Sequence, residues 1–329
     1  SGGDSRLLGS LLTSIPGCAG VLRKSVLAWA EMPGFGLRLY SLTAYSLRAA
    51  DARGGSLMND HSSPAGTSEV FTVPLKEKLR RHPKRIVFTE GEDLRVIEAA
   101  SRLVSDEAAV PILLGSRERI HDMAREAGLS LRFVNILEPS LSSDFELFCR
   151  RFVKIERYRQ LKVSDPEDIM KLPHYFGARM VQYGQADALQ GGNKALPATV
   201  FRALIHTIKP LPDVPKMFAT TILSAPHLKH FGGDGLLFLA DCGLLPNPTP
   251  DQLASIAVET GKLARHLLGR RPRIALLSHS SKGSAQTDEA RKVVAATALA
   301  RDRVLGDELL DLVVDGELQA DVALDPSAA

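Results

Sequence analysis

From Arg85 onward the chain alternates short apolar runs with amphipathic segments of helical period, and this pattern restricts the fold more than any other feature. Residues 85–89 (Arg-Ile-Val-Phe-Thr) read as a buried strand and Glu90-Gly-Glu-Asp93 as a turn. Residues 94–104 read as a helix with Leu94, Ile97, Ala100 and Leu103 on one face. A strand over 109–114, a helix over 117–127, a short strand over 133–136 and a helix over 145–157 follow. Strands and helices at this spacing need right-handed crossovers, hence a mainly parallel sheet covered by helices on both faces. The fold class is therefore α/β, in three layers.

Further along, 168–184 reads as one helix, 186–189 as a strand, and 196–208 as a helix turning Val200, Leu204 and Ile208 inward. Pro210, Pro212 and Pro215 interrupt the pattern and mark a domain boundary. Beyond it, residues 217–223, 235–240 and 273–278 read as strands of a second domain. Residues 249–268 form a long helix with Thr249 as N-cap, Pro250 at its first position, and Ile256, Leu263 and Leu267 facing the core. The expected division is a first α/β domain over 71–209 and a second over 210–329.

Residues 1–70 differ in character and are expected to be a disordered or non-native extension, leading into a helix over 73–81. Residues 1–57 are rich in Ser, Gly, Leu and Arg, with Asp4, Glu31 and Asp51 as their acidic residues. They read either as linker or upstream sequence before a start at Met58, or as an organellar transit peptide.

The whole chain has 41 basic and 38 acidic residues in 329, too small an excess to make nucleic acid or an anionic membrane the expected partner. Cys18, Cys149 and Cys242 are widely spaced with no Cys-x-x-Cys pair, which predicts thiols in a reducing cytoplasm and no metal site. No run approaches the roughly 18 apolar residues of a membrane span.

One stretch is more specific than any pattern: Asp241-Cys-Gly-Leu-Leu-Pro-Asn-Pro-Thr-Pro-Asp-Gln-Leu-Ala254. It is accompanied in order by Glu90-Gly-Glu-Asp-Leu-Arg-Val96, Tyr175-Phe-Gly177, Ala186-Asp-Ala188, Pro272-Arg-Ile-Ala-Leu-Leu-Ser-His-Ser280 and Asp315-Gly-Glu-Leu-Gln-Ala-Asp-Val-Ala-Leu324. Together these make residues 83–329 resemble the phosphotransacetylase and phosphotransbutyrylase family. The resemblance implies a two-domain fold like that of the isocitrate and isopropylmalate dehydrogenases, a site in the cleft between domains, and a cytoplasmic homodimer. It also implies the reaction, exchange of an acyl group between acetyl-CoA and phosphate to give acetyl phosphate and CoA. Coenzyme A is then a substrate, and no cofactor or metal is expected.

Such exchange needs a grip for an anion, donors for an oxyanion and a base for a thiol whose ordinary pKa is about 8.5. Ser278-His-Ser-Ser-Lys-Gly-Ser284 follows a strand and precedes a helix, which places Ser278, Ser280, Ser281, Lys282 and Gly283 where a phosphate is gripped; a solvated turn is the plain alternative. Arg202 matches the family arginine that contacts the phosphoryl or acyl group, and a guanidinium fork suits phosphate; apart from the resemblance it reads as a surface arginine on an amphipathic helix. Where the family has Ser-Gly-Ala-x-His-Ser-Thr, this chain has Gly191-Gly-Asn193 and Ala195-Leu-Pro197, so Asn193 and Lys194 are the substitute donors.

Asp241 and Cys242 end a strand, with Asn247 in the turn after it, near the cleft; Asp241 is read as orienting that turn and Cys242 as a packed thiol. Glu90, Glu92 and Asp93 are read as caps of the following helix, with contact to the cleft as the secondary reading. The family's Pro-x-Asn-Asp-Leu-Ser-Arg-Gly segment, with its catalytic serine, arginine and nearby aspartate, has no counterpart before Ala329, so the catalytic residues are left unassigned and the chain as given is expected to be inactive or nearly so. The other readings are phosphate butyryl transfer, which the changed Ala195–Pro197 segment would permit, and a non-catalytic acyl-CoA-binding domain of the kind found in malic enzymes.

Overall fold

The computed structural model describes residues 69–155, 165–210, 214, 216–224, 232–233, 235–307, 310–325 and 327–328, together with two backbone strands, Arg23–Glu31 and Arg38–Ser46. In chain order the strands are β1 (Arg23–Glu31), β2 (Arg38–Ser46), β3 (Lys84–Phe88), β4 (Ala109–Leu114), β5 (Asn135–Leu137), β6 (Ala188–Gly191), β7 (Ala219–Ser224), β8 (Leu236–Ala240), β9 (Arg273–Leu277) and β10 (Val313–Leu318). The helices are α1 (Glu69–Arg81), α2 (Leu94–Ser105), α3 (Arg117–Glu126), α4 (Phe145–Val153), α5 (Pro166–Lys171), α6 (Pro173–Gln182), α7 (Pro197–Thr207), α8 (Pro250–Leu268), α9 (Asp288–Leu305) and α10 (Ala320–Leu324).

β5, β4, β3 and β6 lie side by side and parallel, with Val87 opposite Ile112 on one neighbour and Leu189 on the other. Successive residues of a strand face opposite sides, so β3 sends Ile86 and Phe88 to one core and Val87 to another. Ile86 and Phe88 meet Val96, Ile97, Ala100, Ile120 and Ala124 from α2 and α3. Val87 belongs with Phe148, Phe152, Phe176, Val200 and Leu204 from α4, α6 and α7. This is the expected helix–sheet–helix sandwich, and the parallel order is why both faces are apolar.

β9 and β10 form a separate parallel pair on which α8 and α9 pack through Ala254, Ala257, Val258, Val293, Ala296 and Ala300. The N-cap expectation for α8 holds: Thr249 and Gln252 make a reciprocal capping box, and Pro250 sits at the first helical position. Ile256 and Leu263 are buried.

Several expectations need correction. The helix read over 168–184 is two helices, because Pro173 holds Leu172 in the extended region (ψ 121°) and ends α5 there. Phe133 was read as opening a strand; it has φ +64° and is 70 % exposed, and β5 begins two residues later. α1 starts at Glu69, earlier than read, and contains Pro74.

The extension read as disordered over 1–70 contains β1 and β2, which stand between β6 and β7 in the large sheet, antiparallel to each other and with β2 parallel to β7. Their nine-residue runs carry Val, Trp, Tyr and Thr, residues that favour extended backbone. The transit-peptide and Met58 readings otherwise lie outside the described residues, as does Cys18. Among the described residues no helix is long and apolar enough to cross a membrane.

Candidate functional site

The chain runs β3, β4, β5 in one direction across the sheet and then returns to place β6 on the other side of β3. The order therefore reverses between β3 and β6. Loops leaving the carboxyl ends of two such strands diverge, and the crevice between them is where ligands of parallel α/β sheets bind. Two segments meet here, Thr89–Asp93 after β3 and Gly192–Leu196 after β6.

Glu90 joins them. Its Oε2 accepts the backbone N–H of Asn193 at 2.5 Å, and its Oε1 accepts those of Lys194 and Ala195 at 2.8 and 2.6 Å. Three donors on one carboxylate fix the β6 loop ahead of α7. Asn193 Nδ2 donates to Asp93 Oδ2 at 2.9 Å, and Lys194 Nζ stands 3.7 Å from the same oxygen. Asp93 is buried, caps α2 by accepting from the Arg95 N–H, and pairs with the Arg95 guanidinium, which holds its carboxyl below the usual carboxylate range.

Of the three acidic residues read as helix caps, only Asp93 caps α2. Glu92 accepts from the Ser116 N–H at 2.7 Å and from Arg119 at 3.0 Å, and Glu90 holds the β6 loop. Helix geometry decides this: Asp93 is the residue next to the first turn, where an N-cap oxygen reaches the free N–H groups.

Close packing sets the floor of the crevice. A Cβ on Gly177 of α6 would lie 3.1 Å from Thr89 Cγ2, and one on Gly191 would lie 2.7 Å from Thr89 Oγ1. Thr89 itself is buried and its Oγ1 is 2.7 Å from Nδ1 of His174. Beside it, the Tyr175 hydroxyl is 3.0 Å from His206 Nδ1.

Arg202 projects from α7 as an exposed residue, and no hydrogen bond or ion pair is formed by it among the described residues. Its charge acts on Tyr175, opposing the larger effect of burial, which raises the phenol pKa. Asn193 lies on the loop that leaves β6 and Arg202 on the helix that follows it. Leu196, the N-cap of that helix, is 72 % exposed and adds an apolar side chain there.

The serine-rich loop is built differently from the expectation of open donors. It follows β9 and folds around carboxylates of β10. Glu317, 2 % exposed, accepts from the Ser280 hydroxyl and from the Gly283 N–H at 3.0 Å. These donors hold the Glu317 carboxyl below its ordinary pKa. Lys282 pairs with Asp315 and also donates to the Gly316 carbonyl at 3.0 Å. The Ser281 hydroxyl accepts from the Gln319 N–H at 2.8 Å, and that of Ser278 accepts from the Ser280 N–H at 3.2 Å. The donors of this loop are thus engaged by carboxylates of its own chain, Glu317 and Asp315. Glu317, 37 residues from Ser280, carried no sequence signal for this pairing.

Asp241 orients the turn after β8, accepting from Ala219 at 2.9 Å and from Leu245 at 2.5 Å. Asn247 accepts from Lys292 at 2.8 Å. The Cys242 thiol donates to the Leu239 carbonyl at 3.2 Å and burial pushes its pKa up, the opposite of an activated nucleophile. Among the described residues no group of His, Cys, Asp and Glu is placed to hold a metal ion.

A shallow cavity of about 580 Å³ lies at the other end of the sheet, at the amino ends of β4 and β5, lined by Arg80, Pro83, Ala109 and Phe133 among others. Its polar lining is Arg80, Glu107 and Asn135, and none of the residues singled out from the sequence as a site residue lies there, so the crevice between β3 and β6 is the stronger candidate.

Residues 70–329 match the family described as phosphate acetyl/butaryl transferase. A phosphate acetyltransferase of Thermoanaerobacterium thermosaccharolyticum is 33 % identical over 248 residues, spanning 75 % of this chain and 73 % of the relative. One from Clostridium acetobutylicum is 31 % identical over 253 residues, 77 % of this chain and 74 % of the relative. In structure the chain is similar to the EutD phosphotransacetylase from Staphylococcus aureus, with TM-score 0.66, 31 % identity, and 80 % and 77 % of the two chains covered. A phosphotransacetylase from Streptococcus pyogenes gives TM-score 0.67 at 29 % identity, covering 79 % and 75 %.

Proposed function

Since this chain belongs to the phosphate acetyl/butaryl transferase family, we propose that it catalyses reversible transfer of an acetyl group between acetyl-CoA and phosphate at the crevice between β3 and β6. The observation that carries the placement is Arg202, an exposed guanidinium without a polar partner among the described residues, on the helix that leaves the crevice loop. A phosphate oxygen attacks the thioester carbonyl, the C–O bond forms, and the C–S bond breaks with the sulfur leaving as CoA thiolate. Arg202 fits the task of orienting the phosphate, because its planar fork matches two phosphate oxygens at once. Holding both reactants in one crevice supplies the orientation that acyl transfer in water lacks.

The reading uses coenzyme A as substrate and no resident cofactor, and takes acetyl phosphate as the other product. It carries with it a homodimer in the cytoplasm, for which the resemblance is the support; sedimentation of the intact protein tests the assembly. The function is tested by measuring CoA-dependent formation of acetyl-CoA from acetyl phosphate with the intact protein. Absence of turnover above the uncatalysed rate overturns it.

A second reading, transfer of a larger acyl group such as butyryl, is favoured by Leu196, whose exposed apolar side chain stands at the crevice loop. Comparing acetyl-CoA with butyryl-CoA as substrates separates the two.

A further inference from the structure

Helix α9 is apolar on two sides. Its inner face, with Val293, Ala296 and Ala300, packs with α8 on the β9–β10 pair. The outer face carries Val294, Ala295, Ala298, Leu299 and Leu305, all exposed, Leu305 by 80 %. Spacings of three and four residues put most of these on one side of the helix. An apolar stripe of this kind, bare among the described residues, marks an interaction surface.

Two charges close the stripe. Arg291 lies in the first turn of α9 and Asp302 in the last, both exposed and about three turns apart on the outer face. Each stands against the helix dipole, whose N-terminal end favours acids and whose C-terminal end favours bases. Arg291 is met by Asp288, one turn earlier. The Asp302 carboxylate forms no hydrogen bond or ion pair among the described residues. Other cations of the helix are tied to their own chain: Lys292 donates to Asn247, and Arg301 to the Val314 carbonyl and to Asp315.

We propose that this face of α9 is the contact between two copies of the chain, with the two helices antiparallel about a two-fold axis that passes between Ala296 and Thr297. Self-complementarity selects a second copy over another partner, because a two-fold contact uses the same patch twice. Arg291 and Asp302 are equally far from that midpoint, as are Val294 and Leu299, and Ala295 and Ala298. An antiparallel pair therefore brings each Arg291 level with Asp302 of the other copy, and the unpartnered carboxylate gains a cation. The alanines lie at the centre, where small side chains let two helices approach to about 8 Å. Val294 and Leu299 flank them, one on each side. A parallel pair would instead set Arg291 against Arg291 and Asp302 against Asp302.

This inference names the face of the homodimer taken with the acyl-transfer reading; it rests on that reading only for the existence of a second copy, and catalysis plays no part in it. Sedimentation velocity of the intact protein tests it with wild type, Arg291→Asp, Asp302→Arg and an equal mixture of the two variants. Wild type is expected at the dimer mass. Either variant alone sets like charges together at both ends, and its dissociation constant should rise by about 100-fold or more. Mixed, one copy brings two acids and the other two bases, so both pairs are restored and the dimer should return. Both substitutions follow the helix dipole at exposed positions, so the monomers stay folded, which melting curves check. Ala298→Glu, a charge at the exposed centre, should dissociate the pair as well. Wild type at the monomer mass overturns this inference and the homodimer with it, while acyl transfer by the same protein stands or falls on its own assay. Variants that remain dimeric overturn this face alone. Dissociated variants that fail to recombine on mixing overturn the antiparallel pairing.

Discussion

The backbone N–H of Asn193 lies 2.5 Å from Oε2 of Glu90, across 103 residues of chain, and this contact ties the loop after β6 to the turn after β3. The same carboxylate also accepts from Lys194 and Ala195, so one side chain sets the shape of the crevice wall. Glu90→Gln keeps the volume but turns an N–H₂ group toward one of these donors. Hydrogen bonds to charged groups contribute about 1.5–3 kcal/mol, and a loss in that range is expected, read as a lower urea midpoint at pH 7.

Arg202→Ala removes the guanidinium without emptying a packed site, since the residue is exposed on α7. Its expected effect is on phosphate: KM for phosphate rises by about 10- to 100-fold, the equivalent of one charge-assisted contact, while the melting temperature stays near that of wild type. Steady-state kinetics with phosphate varied checks this.

Gly191→Ala introduces a Cβ 2.7 Å from Thr89 Oγ1. The hydroxyl must move, and with it the contact to His174. A destabilisation of about 1–3 kcal/mol is expected from overpacking, accompanied by loss of turnover. Thermal unfolding and the acyl-transfer assay on the same preparation read both.

Acid should loosen the serine loop. The Glu317 carboxyl is held below its ordinary pKa, first by the Ser280 hydroxyl and then by the Gly283 N–H. A depressed folded pKa stabilises above the unfolded value, about 4.3 for glutamate, and this contribution drains away as pH falls through the folded value. Ser280→Ala is therefore expected to lower the melting temperature at pH 7, with the gap from wild type closing below about pH 4. Melting curves of both proteins across that range are the measurement.

Thr249→Ala removes one half of the capping box of α8. Loss of such a cap costs about 1 kcal/mol, and a matching fall in the urea midpoint is expected.

The local level of this protein was legible in its residues. Apolar spacing marked β3, β4, α2 and α7, and Thr249-Pro250 placed the start of α8. The run from Asp241 to Ala254, with its companions, pointed to the family that residues 70–329 match. Asp241 was read as orienting its turn and does so. These features depend on neighbours a few residues apart, which a linear reading sees.

What tertiary structure alone decided are the partners of polar groups. Glu90 and Glu92 looked like equivalents of Asp93 at a helix start, yet one reaches Asn193 and the other Ser116. Ser280 and Gly283 looked like donors awaiting an anion, and β10 brings Glu317 to them. His174 gains its contact with Thr89 because α6 crosses the end of β3, 85 residues earlier. The physical reason is common to all three. Helix and strand formation follow from local backbone and side-chain preferences, whereas a hydrogen bond between distant residues exists only once strand order has brought its donor and acceptor within about 3 Å.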